Sequence, residues 1–182
     1  MIQSIRGVLR GAAVGLLLVL AATMALAETK PPLNQTADGV AMDGFDVVAY
    51  FADAKPAKGD AAFAVDYEGA SWLFTSQANA DTFSADPTRY APKNNGWCSY
   101  AVSEGYAADV DFVNGWSVID DALYLNYNED TRSEFLAEKD KRILAAQTNW
   151  PTVSAGLVDG SVTLYRHAED PDVKISHPQP LQ

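Results

Sequence analysis

Apolar positions alternate with small or polar ones at Phe63, Val65 and Tyr67, and again at Trp72 and Phe74, with Glu68-Gly69 between the two runs. A period of two on both sides of a turn pair predicts a β-hairpin with one buried face. A second alternation, Trp116-Ser117-Val118-Ile119, turns at Asp120-Asp121 and returns through Leu123-Tyr124-Leu125-Asn126-Tyr127. It predicts another hairpin, with Leu123, Leu125 and Tyr127 on one face and Tyr124 and Asn126 on the other. Earlier, Val47, Val48, Tyr50 and Phe51 form a run too short for periodicity to separate strand from helix. Ser76 predicts the cap of a helix whose face carries Ala78, Thr82 and Phe83. Asp86-Pro87 should end that helix, because the residue before proline is pushed out of the helical region. Trp97 to Val102 predicts a second short helix, stopped at Gly105, with Cys98 and Val102 on one face. The stretch from Ala108 to Asn114 reads as acidic and irregular. Asn128 is a good cap for a helix from Glu129 to about Thr148, with Glu129 and Asp130 at its positive end and Phe135, Leu136, Ile143 and Leu144 toward the core. Trp150-Pro151 should close the domain. The pattern thins from Ser154, where Val162, Leu164 and Tyr165 are a candidate strand. The sum is an α+β fold: one small domain of short antiparallel hairpins packed with helices.

The ends change the picture. Arg6 and Arg10 precede an apolar run from Gly11 to Ala22, and Ala25-Leu26-Ala27 is a small-x-small cleavage site. Residues 1–27 therefore read as a secretory signal peptide. The apolar run is shorter than the roughly 20 residues needed to span a bilayer. The expectation is a chain exported to the periplasm or beyond, with a domain over residues 36–153 and a partly disordered extension over 154–182. No stable membrane insertion is expected after cleavage. The net charge is −11, and two units more negative without Arg6 and Arg10. Such an acidic surface disfavours nucleic acid and anionic lipid as partners. The single cysteine, Cys98, excludes an intrachain disulfide.

Several segments together resemble the exported branch of the YHS-domain family: Gly44-Phe45-Asp46-Val47-Val48-Ala49-Tyr50-Phe51, Trp72-x-Phe74-x-Ser76, Phe83-x-x-Asp86-Pro87-x-x-Tyr90, Gly96-Trp97-Cys98-Ser99-Tyr100-Ala101-Val102 and Leu123-Tyr124-Leu125-Asn126-Tyr127-Asn128. The likeness spans about Thr36 to Val153 and lies in their order and spacing. It implies a small treble-clef-like α+β domain. In other members the module is an accessory domain of copper-transporting ATPases and other metal proteins, with a Phe-Cys-Ser-x-x-Cys segment after the first hairpin. Here the matching positions read Phe74-Thr75-Ser76-Gln77-Ala78-Asn79, so Thr75 and Asn79 stand where those members carry cysteines.

Candidate chemistry is sparse. Cys98 offers a thiolate, a soft ligand suited to copper(I) or zinc, and Met42 a thioether. The competing reading of Cys98 is an inert buried thiol between Trp97 and Tyr100, since free cysteine is among the most buried residue types. Tyr50, Trp72, Trp97 and Tyr100, with Tyr90, Trp116 and Tyr124, either line a pocket for a small ligand beside Cys98 or form the core. Asp43, Asp46, Asp109 and Asp111 offer oxygen ligands without a calcium-loop pattern. Asp46, between Phe45 and Val47, is expected to be partly buried and paired with backbone N–H groups or with Arg89. His167 and His177 lie in the thin tail, so the domain lacks the ligands of a closed zinc site. No nucleophile elbow, phosphate loop or dinucleotide fingerprint occurs. The expected function is that of a non-catalytic YHS-domain protein binding a metal ion, such as copper, or a small ligand near Cys98. The alternative is a structural or protein-interaction module that has lost the family metal site. A thiol enzyme is a third reading, opposed by the acidic setting, which raises a thiol pKa.

Overall fold

The computed structural model describes residues 32–167. The expected signal peptide and the proline-bearing tail beyond His167 lie outside them. In chain order come α1 (Ala49–Ala52), the strands β1 (Asp60–Tyr67) and β2 (Ala70–Phe74), α2 (Gln77–Ala85), α3 (Pro87–Tyr90), α4 (Ser99–Ser103), β3 (Ala107–Ala108), the strands β4 (Trp116–Ile119) and β5 (Ala122–Leu125), α5 (Glu129–Ala137), α6 (Lys139–Asp159) and β6 (Leu164–Tyr165). The expected α+β class holds. Among the described residues, no helix is long and apolar enough to cross a membrane.

Both hairpins form where the alternation places them. β1 and β2 pair antiparallel, Val65 opposite Trp72 and Tyr67 opposite Ala70; β4 and β5 pair with Trp116 opposite Leu125 and Ile119 opposite Ala122. The turns are Glu68-Gly69 (φ +52° and +84°) and Asp120-Asp121 (φ +49° and +59°). Two left-handed residues in a two-residue loop match the right-handed twist of the flanking strands. Trp72 and Phe74 of β2 are buried, and Trp72 stacks on Phe83 of α2 with ring centroids 5.0 Å apart. β5 is buried on both faces: Leu123 and Leu125 enter the main core, while Tyr124 meets Phe135 of α5 at 5.6 Å.

Local capping sets the helix starts. Ser76 accepts from Asn79 N–H (3.2 Å), and Asn128 accepts from Thr131 N–H (2.8 Å). Asp86 ends α2 and caps α3. α4 starts two residues later than expected, with Cys98 as its cap.

The long C-terminal helix departs from expectation. It breaks at Glu138 (φ −126°, ψ 33°) into α5 and α6, and α6 passes through Pro151 to Asp159. An interior proline normally costs a helix about 3 kcal/mol. Here the apolar face continues on both sides of it. Ala146 and Val153, with Trp150 and Leu157 partly buried, join Trp97, Val102 and Ala107 in a second core. β6 then pairs in parallel with β3, Ala107 opposite Leu164. The chain from Ser154 to His167, placed by the sequence in an extension, is packed onto the domain.

Two left-handed turns lie side by side near the main core. Met42, Asp43 and Gly44 have φ of +52°, +48° and +74°; Asn94, Asn95 and Gly96 have +54°, +50° and +80°. Asn34 ties them together. Its N–H and Nδ2 donate to Asn95 O (2.9 Å) and Gly96 O (3.0 Å), and its carbonyl accepts from Met42 N–H (2.9 Å). A Cβ on Gly96 would sit 2.4 Å from Met42 Sδ, so only glycine lets the thioether close over that turn.

Candidate functional site

Asp46 is fully buried, and five donors converge on its carboxylate. Oδ1 accepts from the backbone N–H groups of Val48 (2.9 Å) and Ala49 (3.2 Å). Oδ2 accepts from Thr75 N–H (2.8 Å), Thr75 Oγ1 (2.8 Å) and Asn79 Nδ2 (2.7 Å). The first two bonds have the form of a helix cap: a short acidic side chain satisfies the N–H groups two and three residues on. They explain why the ambiguous run after Asp46 turns into α1 rather than extending as a strand. The other three tie that turn to the end of β2 and the start of α2. Arg89 takes no part. It pairs with Asp121 at 3.3 Å, so of the two partners expected for Asp46, backbone N–H groups and Arg89, the structure shows the first, joined by the Thr75 hydroxyl and the Asn79 amide.

Thr75 and Asn79 also touch each other, Asn79 Nδ2 donating to Thr75 Oγ1 at 3.2 Å. These are the two positions where the family resemblance places cysteines. Position 79 lies in the first turn of α2 and position 75 just before its cap, so their side chains meet. That proximity suits a pair of ligands. The donors present do not fit a soft metal: one hydroxyl and one amide, both committed to Asp46. Among the described residues, no group of three or more histidine, cysteine, aspartate or glutamate side chains is placed to hold a metal ion.

Cys98 is fully buried. Its Sγ accepts from Ala101 N–H at 3.4 Å, which is how it caps α4. Burial pushes the thiol up to about 11, while the backbone N–H groups of Ala101, Tyr127 and Tyr100 offset this only in part. The thiol is therefore protonated at neutral pH and without an open approach. Met42, also buried, belongs to the same core cluster, as do Tyr50 and Trp72.

The remaining aromatic candidates are divided. Trp72 is a core ring whose Nε1 donates to Tyr67 O at 3.1 Å. Trp97 belongs to the second core and donates to Pro32 O at 2.9 Å. Tyr100 is half-buried beneath the Arg142 guanidinium, 4.2 Å from its ring centre, and burial raises its phenol pKa. Tyr50 donates to Phe112 O (2.7 Å) and meets Trp116 edge-on at 5.3 Å. Burial also raises its phenol pKa, followed by the nearby charges of Asp111 and Asp46. Tyr50 and Trp116 line an open groove of about 520 Å³ whose lining does not include Cys98. His167 leans on Tyr127, with ring centroids 4.1 Å apart and Nε2 3.0 Å from Tyr127 O.

The carboxylate hub was partly legible in the sequence. An aspartate flanked by Phe45 and Val47 signals burial. Its side-chain partners lie 29 and 33 residues further on, beyond the reach of any local pattern.

No curated protein and no solved structure matches the chain. The family model of the YHS domain matches residues 48–94. That segment runs from α1 to the Asn94 turn and includes every donor to Asp46, while Asp46 lies just before it and Cys98 just after. The chain carries a YHS domain at residues 48–94.

Proposed function

We propose that the protein is an exported, non-catalytic YHS-domain module in which the family's metal-binding pair has been replaced by a carboxylate hub, leaving the domain to act through its surface. The observation that carries this reading is the joint commitment of Thr75 and Asn79 to the buried Asp46 carboxylate. A metal pair needs two free soft donors at those positions. This chain instead has a threonine and an asparagine whose donor groups complete the hydrogen bonding of a buried charge. Such satisfaction favours structure, because a buried carboxylate without partners is strongly destabilising.

Cys98 fits the same reading. A metal reading at Cys98 and Met42 requires deprotonating a buried thiol whose pKa is already raised, and admitting an ion to a packed core. A thiol enzyme meets the same obstacle, since the thiolate is the reactive form. Export is supported by the composition of residues 1–27 alone.

Returning cysteines to the two positions tests the proposal. Thr75→Cys/Asn79→Cys should acquire stoichiometric copper(I) or zinc binding that the parent lacks, because the two side chains already touch. Tight binding by the parent at these positions, or no gain in a folded double variant, would overturn it.

A further inference from the structure

The groove between α1, β4 and α5 has the features of a small-ligand site. Its volume of about 520 Å³ lies within the range of small-molecule pockets. One wall is aromatic and fixed in place. Trp116 forms its face, its Nε1 donating to Val113 O at 3.1 Å, and the buried Tyr50, bonded to Phe112 O, backs it edge-on at 5.3 Å. Rings locked before binding lose little entropy on binding. Val118, more than a third exposed, adds an apolar lip.

Arg132 lines the same groove. Its Nε donates to Ser117 Oγ at 3.0 Å, and among the described residues it makes no ion pair. The other described arginines, Arg89, Arg142 and Arg166, each make an ion pair. Arg132 is half-buried, and its bond to Ser117 uses Nε rather than the two terminal nitrogens. Arg89 borders the same groove, its guanidinium 5.7 Å from the Tyr90 ring centre and ion-paired with the exposed Asp121, which also lines the groove. An exposed pair of that kind contributes about 0–1 kcal/mol and is readily exchanged for a better partner. Two guanidinium groups beside an aromatic wall are complementary to a planar anion on an apolar body. The guanidinium fork matches a carboxylate in two parallel bonds.

We propose that this groove binds a small carboxylic acid with an aromatic or branched apolar body, its carboxylate on Arg132 and Arg89 and its body against Trp116 and Val118. The inference rests on reading the domain as a surface-acting module.

The test is a titration of the purified protein followed by two-dimensional amide NMR, with 3-phenylpropionate and indole-3-acetate as probes and 3-phenylpropanol as a neutral analogue. Both acids should bind with Kd below about 1 mM and shift the Trp116 indole resonance. The alcohol should bind about tenfold or more weakly, and Arg132→Gln should lose about tenfold or more, as expected for a charge-assisted bond. Val118→Glu, at a position more than a third exposed, should also abolish acid binding. Lys93→Gln, away from the groove, should not change it. No shifts with either acid, equal binding of acid and alcohol, or unchanged affinity in both groove variants would overturn the proposal. A failed titration beside a parent that binds no copper(I) removes the groove alone and leaves the hub reading standing.

Discussion

Replacing Asp46 should show how much of this fold depends on one carboxylate. Asp46→Ala removes the acceptor for five donors. The Thr75 hydroxyl and the Asn79 amide can turn toward water, because Thr75 is exposed and Asn79 half-buried. The N–H groups of Val48 and Ala49 cannot, since both residues are buried. Each buried donor left unpaired costs about 1–3 kcal/mol. The two together, with the loosened Thr75 N–H, predict a loss of about 3–5 kcal/mol, a large part of the roughly 5–15 kcal/mol that holds a domain folded. Asp46→Asn should cost less. Its oxygen can still serve Val48 and Ala49, the Thr75 hydroxyl can turn to accept, and the Asn79 amide can present its oxygen. Only Thr75 N–H then faces a donor, for about 1–3 kcal/mol. Thr75→Val removes two bonds at an exposed position, the donation to Asp46 and the acceptance from Asn79 Nδ2, for about 1–3 kcal/mol. Urea unfolding at unchanged m-value measures the series. An Asp46→Ala variant within about 1 kcal/mol of the parent, or an Asp46→Asn variant as damaged as Asp46→Ala, would refute the hub.

Other consequences follow from the same geometry. Cys98 holds its proton more tightly in the folded chain, up to about 11, than in the unfolded one. Its contribution is therefore complete below the ordinary thiol pKa of about 9 and is lost as pH rises toward 11, by about 2–3 kcal/mol, which the pH dependence of unfolding beside Cys98→Ala will show as a steeper alkaline fall in the parent. A thiol reagent at neutral pH should leave Cys98 unmodified until denaturant opens the fold, whereas rapid labelling of the native protein would contradict its burial. Gly96→Ala combines a left-handed backbone with a Cβ 2.4 Å from Met42 Sδ. It should cost about 2–4 kcal/mol in thermal or urea unfolding, with only part returned by a second Met42→Ala change.

What the sequence made legible was local. Alternation with a period of two located both hairpins, and single polar residues such as Ser76 and Asn128 located helix starts, because a cap acts within one turn. The reading at Trp150-Pro151 failed because proline is a local stop signal, while α6 is held by distant packing against Trp97, Val102 and Ala107. The Val47–Phe51 run was undecidable from its own residues. The deciding group, the Asp46 carboxylate, was adjacent, but its role appears only when β2 and α2 close over it. Cys98 was foreseen both as a ligand and as an inert buried thiol; its full burial and its cap on α4 are features of the second reading.

The most direct test of the central claim is an anaerobic copper(I) titration of the parent chain beside Cys98→Ala. The hub account predicts no stoichiometric high-affinity binding in either protein. Tight one-to-one binding by the parent that disappears in Cys98→Ala would contradict it and return the chemistry of this domain to its cysteine.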